Sequence, residues 1–333
     1  MLVESVPNVS EGRQLDVVDR MADAIRSVSG VALLDRTSDV SHNRSVFTMA
    51  GEHQAVMAAL ERLVEVAVHD IDMDVHQGEH PRIGAVDVIP FIPLGDTTMD
   101  ACIDLARGFG ERIAARFDLP VYMYARAALR SDREKLADVR RGQYEGLRDA
   151  IGQRGREPDF GPARLHPSAG AVAVGARPFL IAYNINLDSE DVELAKRIAR
   201  RVRESGGGLP RLQANGFEVR EPERGHPLRA QVSMNLLDFT VTPLWLVWDT
   251  VRDLAAEDGV EPAESELIGL APLASFLDVA DRAEADADAA AAVEVRLQAA
   301  AAYLRLRDFS PTQALELRLR EAGGAADPRR GRT

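Results

Sequence analysis

The chain has 333 residues, 46% hydrophobic and 28% charged, a composition typical of a globular protein with a sizeable core. Forty basic and 53 acidic residues give a net charge of −13, which argues against a nucleic-acid partner because phosphate binding needs a basic face. The single cysteine, Cys102, excludes an intrachain disulfide framework, and we therefore expect a cytoplasmic protein. We expect neither a signal peptide nor a membrane partner, since no apolar run of about 18 residues occurs.

Hydrophobic patterning predicts alternating strands and helices over residues 1–125. Apolar residues at helical spacing predict helices over 15–28, 56–67 and 99–117. Short apolar runs predict strands at Leu2–Val6, Val31–Leu34, Val46–Ala50, Val86–Ile92 and Val121–Tyr124. This alternation indicates a sheet with helices packed on it.

Residues 126–164 interrupt the alternation. The stretch holds ten basic and seven acidic residues together with several glycines and prolines. One interpretation is a solvated helix followed by an exposed linker. The other is a positive lip that attracts an anionic substrate.

The alternation resumes in the second half of the chain. Strands are predicted at Phe179–Ile185, around Val219, at Leu228–Leu237 and at Leu267–Leu270. Helices are predicted at Val192–Val202, Leu244–Leu254 and Pro272–Val279, and a capping box at Ser310 predicts the start of a last helix. The order strand–helix–strand–strand–helix–strand in both halves predicts an α/β fold, an α+β sandwich of two ferredoxin-like, split βαβ subdomains.

The densest cluster of reactive side chains lies between Asp70 and Arg82. His76 to His80 fits a zinc-protease pattern that requires both histidines on one helix turn. Gly78 and Pro81 disfavour that helix, so we expect no metal. An imidazole in a rigid His-Pro unit suits proton transfer near neutral pH, although a structural histidine that caps a turn is the alternative for His80.

Other polar loops carry weaker signals. Asn43 and Arg44 could bind a carboxylate together, or they could simply form a turn between strands. The segment 7–13 could bind an anion at a helix N-terminus, or it could only cap that helix. The small residues of 161–170 could admit a flat ligand close to the backbone, or they could form an interdomain linker.

Several motifs together resemble one family. The segments VPNVSEGR, SHNRSVFT, HQGEHPRIGAVDVIPFIP, PVYMYARAA, PDFGPARLHPSAGAVAVGARPFLIAYNINL, AQVSMNLLDF and ELIGLAPL are similar, in order and spacing, to the glutamate formimidoyltransferases, the formiminotransferase part of the formiminotransferase–cyclodeaminase family. The resemblance covers residues 2 to about 282. It implies subdomains at 1–178 and 179–282 with a folate groove between them, and a homodimer. We expect 283–333 to be an alanine-rich connector and a C-terminal helix with a frayed end, and no cyclodeaminase domain.

The resemblance also implies roles for particular residues. It implies transfer of a formimino group between 5-formimidoyltetrahydrofolate and L-glutamate, with His80 as general acid and base. Asn43, Arg44 and Arg82 are candidates for binding substrate carboxylates, Arg164 is a further local cation, and Asp39 is a possible assisting acid. The folate-binding segment corresponds to Gly161, Pro162, Ala163, Arg164, Leu165, His166, Pro167, Ser168, Ala169 and Gly170.

Alternative functions stay open at this point. The same fold could transfer a formyl group, or it could use a different amino-acid acceptor. It could also bind folate without turnover. A metallohydrolase is a further alternative, which metal analysis of the pure protein would test.

Overall fold

The computed structural model describes residues 1–221, 226–283 and 292–323. The chain divides into two compact units: one comprises Met1–Arg177 with the described residues from Leu319 on, and the other Pro178–Arg318. The divisions 1–178, 179–282 and 283–333 stay a prediction. Within the described residues, no helix is long and apolar enough to cross a membrane.

The first unit alternates strands and helices, as its hydrophobic pattern predicts. Its strands are β1 (Leu2–Ser5), β2 (Asn8–Val9), β3 (Val31–Asp39), β4 (Arg44–Glu52), β5 (Val86–Pro93), β6 (Val121–Ala125) and β7 (Val172–Ala176). Its helices are α1 (Leu15–Arg26), α2 (His53–Asp70), α3 (Met99–Phe117), α4 (Leu136–Val139) and α5 (Gln143–Ala150). A 3₁₀ turn at Ser131–Arg133 precedes α4.

These strands form one mixed sheet. β4 pairs with β3 on one side and with β1 and β2 on the other, and both of these also pair with β5, all antiparallel. β5, β7 and β6 then pair in parallel. The apolar faces of α1, α2 and α3 bury Val18, Leu60 and Phe109 in a common core with strand residues such as Phe47 and Phe91.

Helix α3 has the bounds that its sequence predicts. The Thr98 side chain accepts a hydrogen bond from the Ala101 amide and caps the N-terminus, while Asp118 ends the helix in the left-handed conformation at φ 53°. The hairpin β3–β4 is longer than predicted because the polar residues 35–39 continue the ladder to the pair Asp39 and Arg44. The expected polar loop is thus a tight turn.

Residues 126–164 pack against the sheet, so the interpretation as a solvated helix and linker is wrong. Val139, Leu147 and Ile151 join a second apolar cluster with Tyr122 and Tyr124. The Arg133 side chain is 6% exposed, forms an ion pair of 2.7 Å with Asp159 and lies over the Tyr122 ring at 4.9 Å.

The second unit has the order strand–helix–strand–strand–helix–strand. These elements are β8 (Ile181–Leu187), α6 (Val192–Val202), β9 (Leu212–Glu221), β10 (His226–Leu236), α7 (Leu244–Ala256) and β11 (Pro262–Ile268). The sheet runs β11-β8-β10-β9, and its neighbouring strands are antiparallel. The first unit repeats this order with β1, α1, β3, β4, α2 and β5.

Two further helices follow in the second unit, α8 (Leu273–Arg282) and α9 (Val293–Tyr303). The last helix, α10 (Leu315–Glu321), begins in the second unit and ends in the residues assigned to the first. Ser310 forms the predicted capping box with Gln313, but it starts a 3₁₀ turn (Pro311–Gln313), and α10 begins only at Leu315. Most of the connector at 283–292 and nearly all of the frayed end lie outside the described residues.

Candidate active site

Loops at one end of the first sheet meet around the turn between β3 and β4. Asn43 occupies this turn with φ 47°, and its side-chain oxygen accepts a 2.9 Å hydrogen bond from the Gly12 amide. Its side-chain nitrogen donates to the Gln77 carbonyl at 3.0 Å. The His76 ring donates from Nε2 to the Asn43 backbone carbonyl at 3.0 Å. Asn43 therefore joins the loop before α1 to the loop that carries His80.

Glycines allow this close approach of the loops. A Cβ on Gly12 would lie 2.4 Å from the Asp39 carbonyl oxygen, and one on Gly78 would lie 2.2 Å from the His42 carbonyl oxygen. Neither contact can relax cheaply because both partners are backbone atoms. The loops thus need glycine at these positions to touch the hairpin.

His80 presents a free imidazole at this junction. Its ring is partly buried and makes no hydrogen bond to any residue that the structure describes, while the His42 ring lies edge-on with the centroids 6.4 Å apart. Burial, followed by the positive charges of Arg44 and Arg140, lowers the pKa of His80 to about 3. The imidazole is therefore neutral at pH 7.

Arg44 is the predicted carboxylate ligand that the structure leaves available. Its side chain is partly buried and forms no ion pair within residues 1–221, 226–283 and 292–323. Burial and the nearby Arg140 lower the pKa of Arg44. Asp39 bonds to His42, at 2.7 Å to its amide and 3.1 Å to Nδ1, and these bonds lower the pKa of Asp39. The Asp39 carboxylate therefore stabilises the hairpin turn through His42 and does not bind the Arg44 side chain.

Arg82 and Asn43, the other predicted carboxylate ligands, are occupied by protein groups. The Arg82 guanidinium is buried and bonds to both Glu145 carboxylate oxygens at 2.7 and 2.9 Å. It also donates to His76 Nδ1 at 3.3 Å and to the His76 carbonyl at 3.2 Å. The contacts of Arg82 and Asn43 favour a role in holding the loops, and their role in carboxylate binding stays a prediction.

Arg140 and Asp87 belong to the site although sequence reasoning missed them. Asp87 is 2% exposed, accepts a 2.8 Å hydrogen bond from the Ile83 amide and pairs with Arg140. Burial raises the pKa of Asp87, and the positive charges of Arg140 and Arg44 act against this effect. The Arg140 Nε is buried without a partner in the described chain. Asp87 carried a signal, because it is a lone charge in an apolar strand.

A buried side chain holds the loop that leads into α1. The buried Glu11 carboxylate accepts hydrogen bonds from the Arg13 and Gln14 amides, both at 2.8 Å. It also accepts one from the Gln14 side chain at 2.9 Å. These amides precede the first turn of α1, so Glu11 stabilises the loop, and the anion-site and cap alternatives for 7–13 both stay predictions.

The segment 161–170 is not a linker, because its end runs beside the His80 loop. Ala85 donates its amide to the Ala169 carbonyl at 2.8 Å, and Ala171 donates to the Ile83 carbonyl at 3.0 Å. A Cβ on Gly84 would lie 2.0 Å from the Ala171 oxygen. Within the segment, Ala169 is buried in the core, and Arg164 forms an exposed ion pair with Asp118.

The zinc pattern does not form a metal-binding geometry. His76 and His80 lie in a loop after α2 has ended, so they do not share a helix face. In the part of the chain that the structure describes, no three His, Cys, Asp or Glu side chains are grouped to hold a metal ion.

Comparisons with known proteins match both halves of the chain to one family. Residues 2–177 match the formiminotransferase domain, N-terminal subdomain, and residues 182–315 match the formiminotransferase domain. The glutamate formimidoyltransferase of Thermoplasma acidophilum is 46% identical over 281 residues, which are 84% of this chain and 91% of the relative. That of Streptococcus pyogenes serotype M1 is 41% identical over 280 residues, 84% of this chain and 92% of the relative.

A longer relative matches over part of its length. The formimidoyltransferase-cyclodeaminase of Rattus norvegicus is 43% identical over 285 residues, which are 84% of this chain and 52% of that protein. The two domain profiles together cover most of the chain, and the shorter relatives align over nearly their whole length. The chain therefore belongs to the formiminotransferase family.

Proposed function

We propose that the protein is a glutamate formimidoyltransferase that transfers the formimino group between 5-formimidoyltetrahydrofolate and L-glutamate. Membership of the family and the names of its relatives support this activity. The observation that carries it is the free, neutral imidazole of His80, within electrostatic reach of the free guanidinium of Arg44. A base next to a carboxylate ligand is the arrangement that attack by an amino acid requires.

The chemistry assigns His80 two proton transfers. The glutamate ammonium must lose a proton to become a nucleophile, and His80 Nδ1 or Nε2 accepts it. The amine nitrogen then bonds to the formimino carbon and forms a tetrahedral adduct. When the bond from this carbon to folate N5 breaks, the imidazolium returns the proton to N5. Glutamate leaves as its formimino derivative and folate leaves as tetrahydrofolate.

Arg44 positions a substrate and tunes this base. Both substrates carry carboxylates, and a planar guanidinium without a protein partner can bind one through two parallel hydrogen bonds. A bound carboxylate offsets the charges of Arg44 and Arg140 that lower the pKa of His80. The pKa of the imidazole then rises, which lets His80 hold the proton between the two transfers.

Residues Gly161 to Gly170 are our proposed folate-binding segment. The hydrogen bonds that join Ala169 and Ala171 to the strand entrance after His80 support this assignment. We expect binding of the folate ring to depend mainly on backbone groups.

We further propose that each unit is a ferredoxin-like, split βαβ subdomain. The strand orders β3-β4-β1-β5 and β11-β8-β10-β9 support this, since both keep the same neighbours for the same element order. The ligand groove between subdomains, the homodimer and the cytoplasmic location stay predictions. Light scattering of the purified protein tests the dimer.

A transfer assay tests the activity. Purified protein is incubated with formimino or formyl donors and a panel of amino acids, and folate binding is measured separately. We expect formimino transfer to glutamate, and for His80→Ala a turnover lower by roughly 10²–10⁴-fold with folate binding retained. Near-normal turnover of His80→Ala would remove His80 from the mechanism. Folate binding without transfer to any acceptor would identify a non-catalytic binding protein.

A further inference from the structure

An unbroken series of hydrogen bonds, buried at all but its last member, runs beneath the loop that carries His80. His76 Nε2 lies 3.0 Å from the Asn43 carbonyl oxygen, and His76 Nδ1 lies 3.3 Å from Arg82 Nε. Arg82 continues to Glu145 on α5. Asn43, His76 and Arg82 are 7%, 9% and 6% exposed, so the two bonds of the His76 ring form away from water, whereas Glu145 is 57% exposed. We refer to Asn43, His76, Arg82 and Glu145 as the relay.

The partners of His76 determine its tautomer. A carbonyl oxygen can only accept, so Nε2 must carry the proton, and Arg82 Nε–H can only donate, so Nδ1 must be bare. His76 is therefore neutral. Burial, with the charges of Arg82 and Arg13, lowers its pKa, while the bond to Asn43 and the charge of Glu11 act in the opposite direction. A second proton, on His76 Nδ1, would place this N–H against the N–H of Arg82 Nε.

The relay closes the loop on itself. Arg82 bonds both the ring and, at 3.2 Å, the backbone carbonyl of His76, so one guanidinium joins the two ends of the loop 76–82. Gly78 lies against the His42 carbonyl, which prevents the loop from moving toward the hairpin. His80 lies between these restraints and makes no hydrogen bond of its own in the described chain. Its position therefore depends on the loop.

We propose that His76 is a positioning residue for the reaction: as a neutral bridge between Asn43 and Arg82 it fixes the loop that presents His80 to the substrates. This inference rests on the proposed role of His80. His76 itself is buried beneath the loop and bonded on both ring nitrogens, so it takes no part in the proton transfers. Loss of the bridge frees the loop, and a displacement of about 1 Å at a reacting group costs up to roughly 100-fold in rate.

Two substitutions separate the two bonds of the ring. In His76→Gln the amide nitrogen can replace Nε2 and keep the bond to Asn43, but the bond from Arg82 is lost. In His76→Asn the amide oxygen can replace Nδ1 and keep the bond from Arg82, but the bond to Asn43 is lost. We expect each variant to lower kcat by roughly 10–100-fold and to change KM for either substrate by less than about threefold.

A matched control breaks an ion pair between α5 and the same loop region outside the relay. Arg148, on the same helix as Glu145, pairs with Asp74 at 3.0 Å, and both side chains are half exposed. Arg148→Gln should leave kcat within about twofold of the wild type. Glu145→Gln should lower kcat by roughly 3–10-fold, because the buried Arg82 loses its counter-ion. Since the Glu145 side chain is 57% exposed, this variant tests the relay even where His76 variants fail to fold.

A spectroscopic measurement tests the tautomer independently of activity. The ¹⁵N shifts of the His76 ring, assigned by comparison with His76→Gln, should report Nε2–H and a bare Nδ1 at pH 7. The opposite tautomer would overturn the proposal. It would also be overturned if both His76 variants and Glu145→Gln kept kcat within about twofold of the wild type, or if Arg148→Gln lost as much kcat as they do. Failure of the His80 role is distinguishable, because His80→Ala would then remain active.

Discussion

The substitution Arg44→Lys tests whether this guanidinium binds a substrate carboxylate. Lysine keeps the positive charge but cannot form two parallel hydrogen bonds to one carboxylate. The Arg44 side chain has no hydrogen-bonding partner in the described chain, and the side chain of Asp39, its neighbour across the ladder, bonds to His42. No protein interaction is therefore broken, and we expect the free energy of unfolding to stay within about 0.5 kcal/mol of the wild type.

The expected cost appears in substrate binding. A hydrogen bond to a charged group contributes about 1.5–3 kcal/mol. At about 1.4 kcal/mol per tenfold change, its loss raises KM for at least one substrate by roughly 10- to 150-fold. The assay is a full set of initial rates with glutamate and the folate varied in turn, together with a urea titration of the same protein.

A control variant makes the same arginine-to-lysine substitution away from the site. Arg20 lies on α1 in exposed ion pairs with Asp16 and Asp70, so Arg20→Lys should leave both KM values unchanged. An unchanged KM for Arg44→Lys would show that its guanidinium does not bind a substrate carboxylate. A loss of stability with normal KM would instead mean that Arg44 holds the hairpin.

Further predictions concern charge at the same site. Because burial and nearby positive charges lower the pKa of His80, the acid limb of kcat/KM caused by His80 should lie below pH 6.5. Arg44→Gln removes one of those charges and should move this limb to higher pH. A limb that does not move would contradict the assignment of the limb to His80. Asp87→Asn leaves the partly buried Arg140 without its counter-ion and should lower the free energy of unfolding by on the order of 3 kcal/mol, measured by urea titration. An unchanged midpoint would show that the pair contributes nothing to stability. Chelators should leave activity unchanged, and stoichiometric zinc in active protein would overturn that expectation.

Elements whose signals are local can be predicted from the residues of the element alone. Helix α3 keeps its predicted bounds because its apolar spacing and the Thr98 cap lie within the helix itself. Helix α6 does so because Asp191 caps it in the same way. The motif resemblance likewise identified the family, since it depends on the order and spacing of residues and not on their contacts.

The length of the paired strands and the packing of the charged segment could not be predicted without the tertiary structure. Residues 35–39 are polar and predict a loop by their composition, yet they form the second half of β3 because β4 supplies their hydrogen-bonding partners. The composition of 126–164 predicts either an exposed linker or a charged lip. The segment packs against the sheet because Val139, Leu147 and Ile151 bury apolar surface there, and the charged lip stays a prediction.

Only the fold decided which charges are free. Arg44 and Arg82 both lie in polar sequence segments near a histidine, and nothing local distinguishes them. Arg82 meets Glu145, which is 63 residues away in the chain, whereas Arg44 meets no carboxylate in the described structure. Distance and burial determine electrostatic energies, and both are properties of the folded chain. The same reason hid Arg140, which joins the site only because Asp87 is buried beside it.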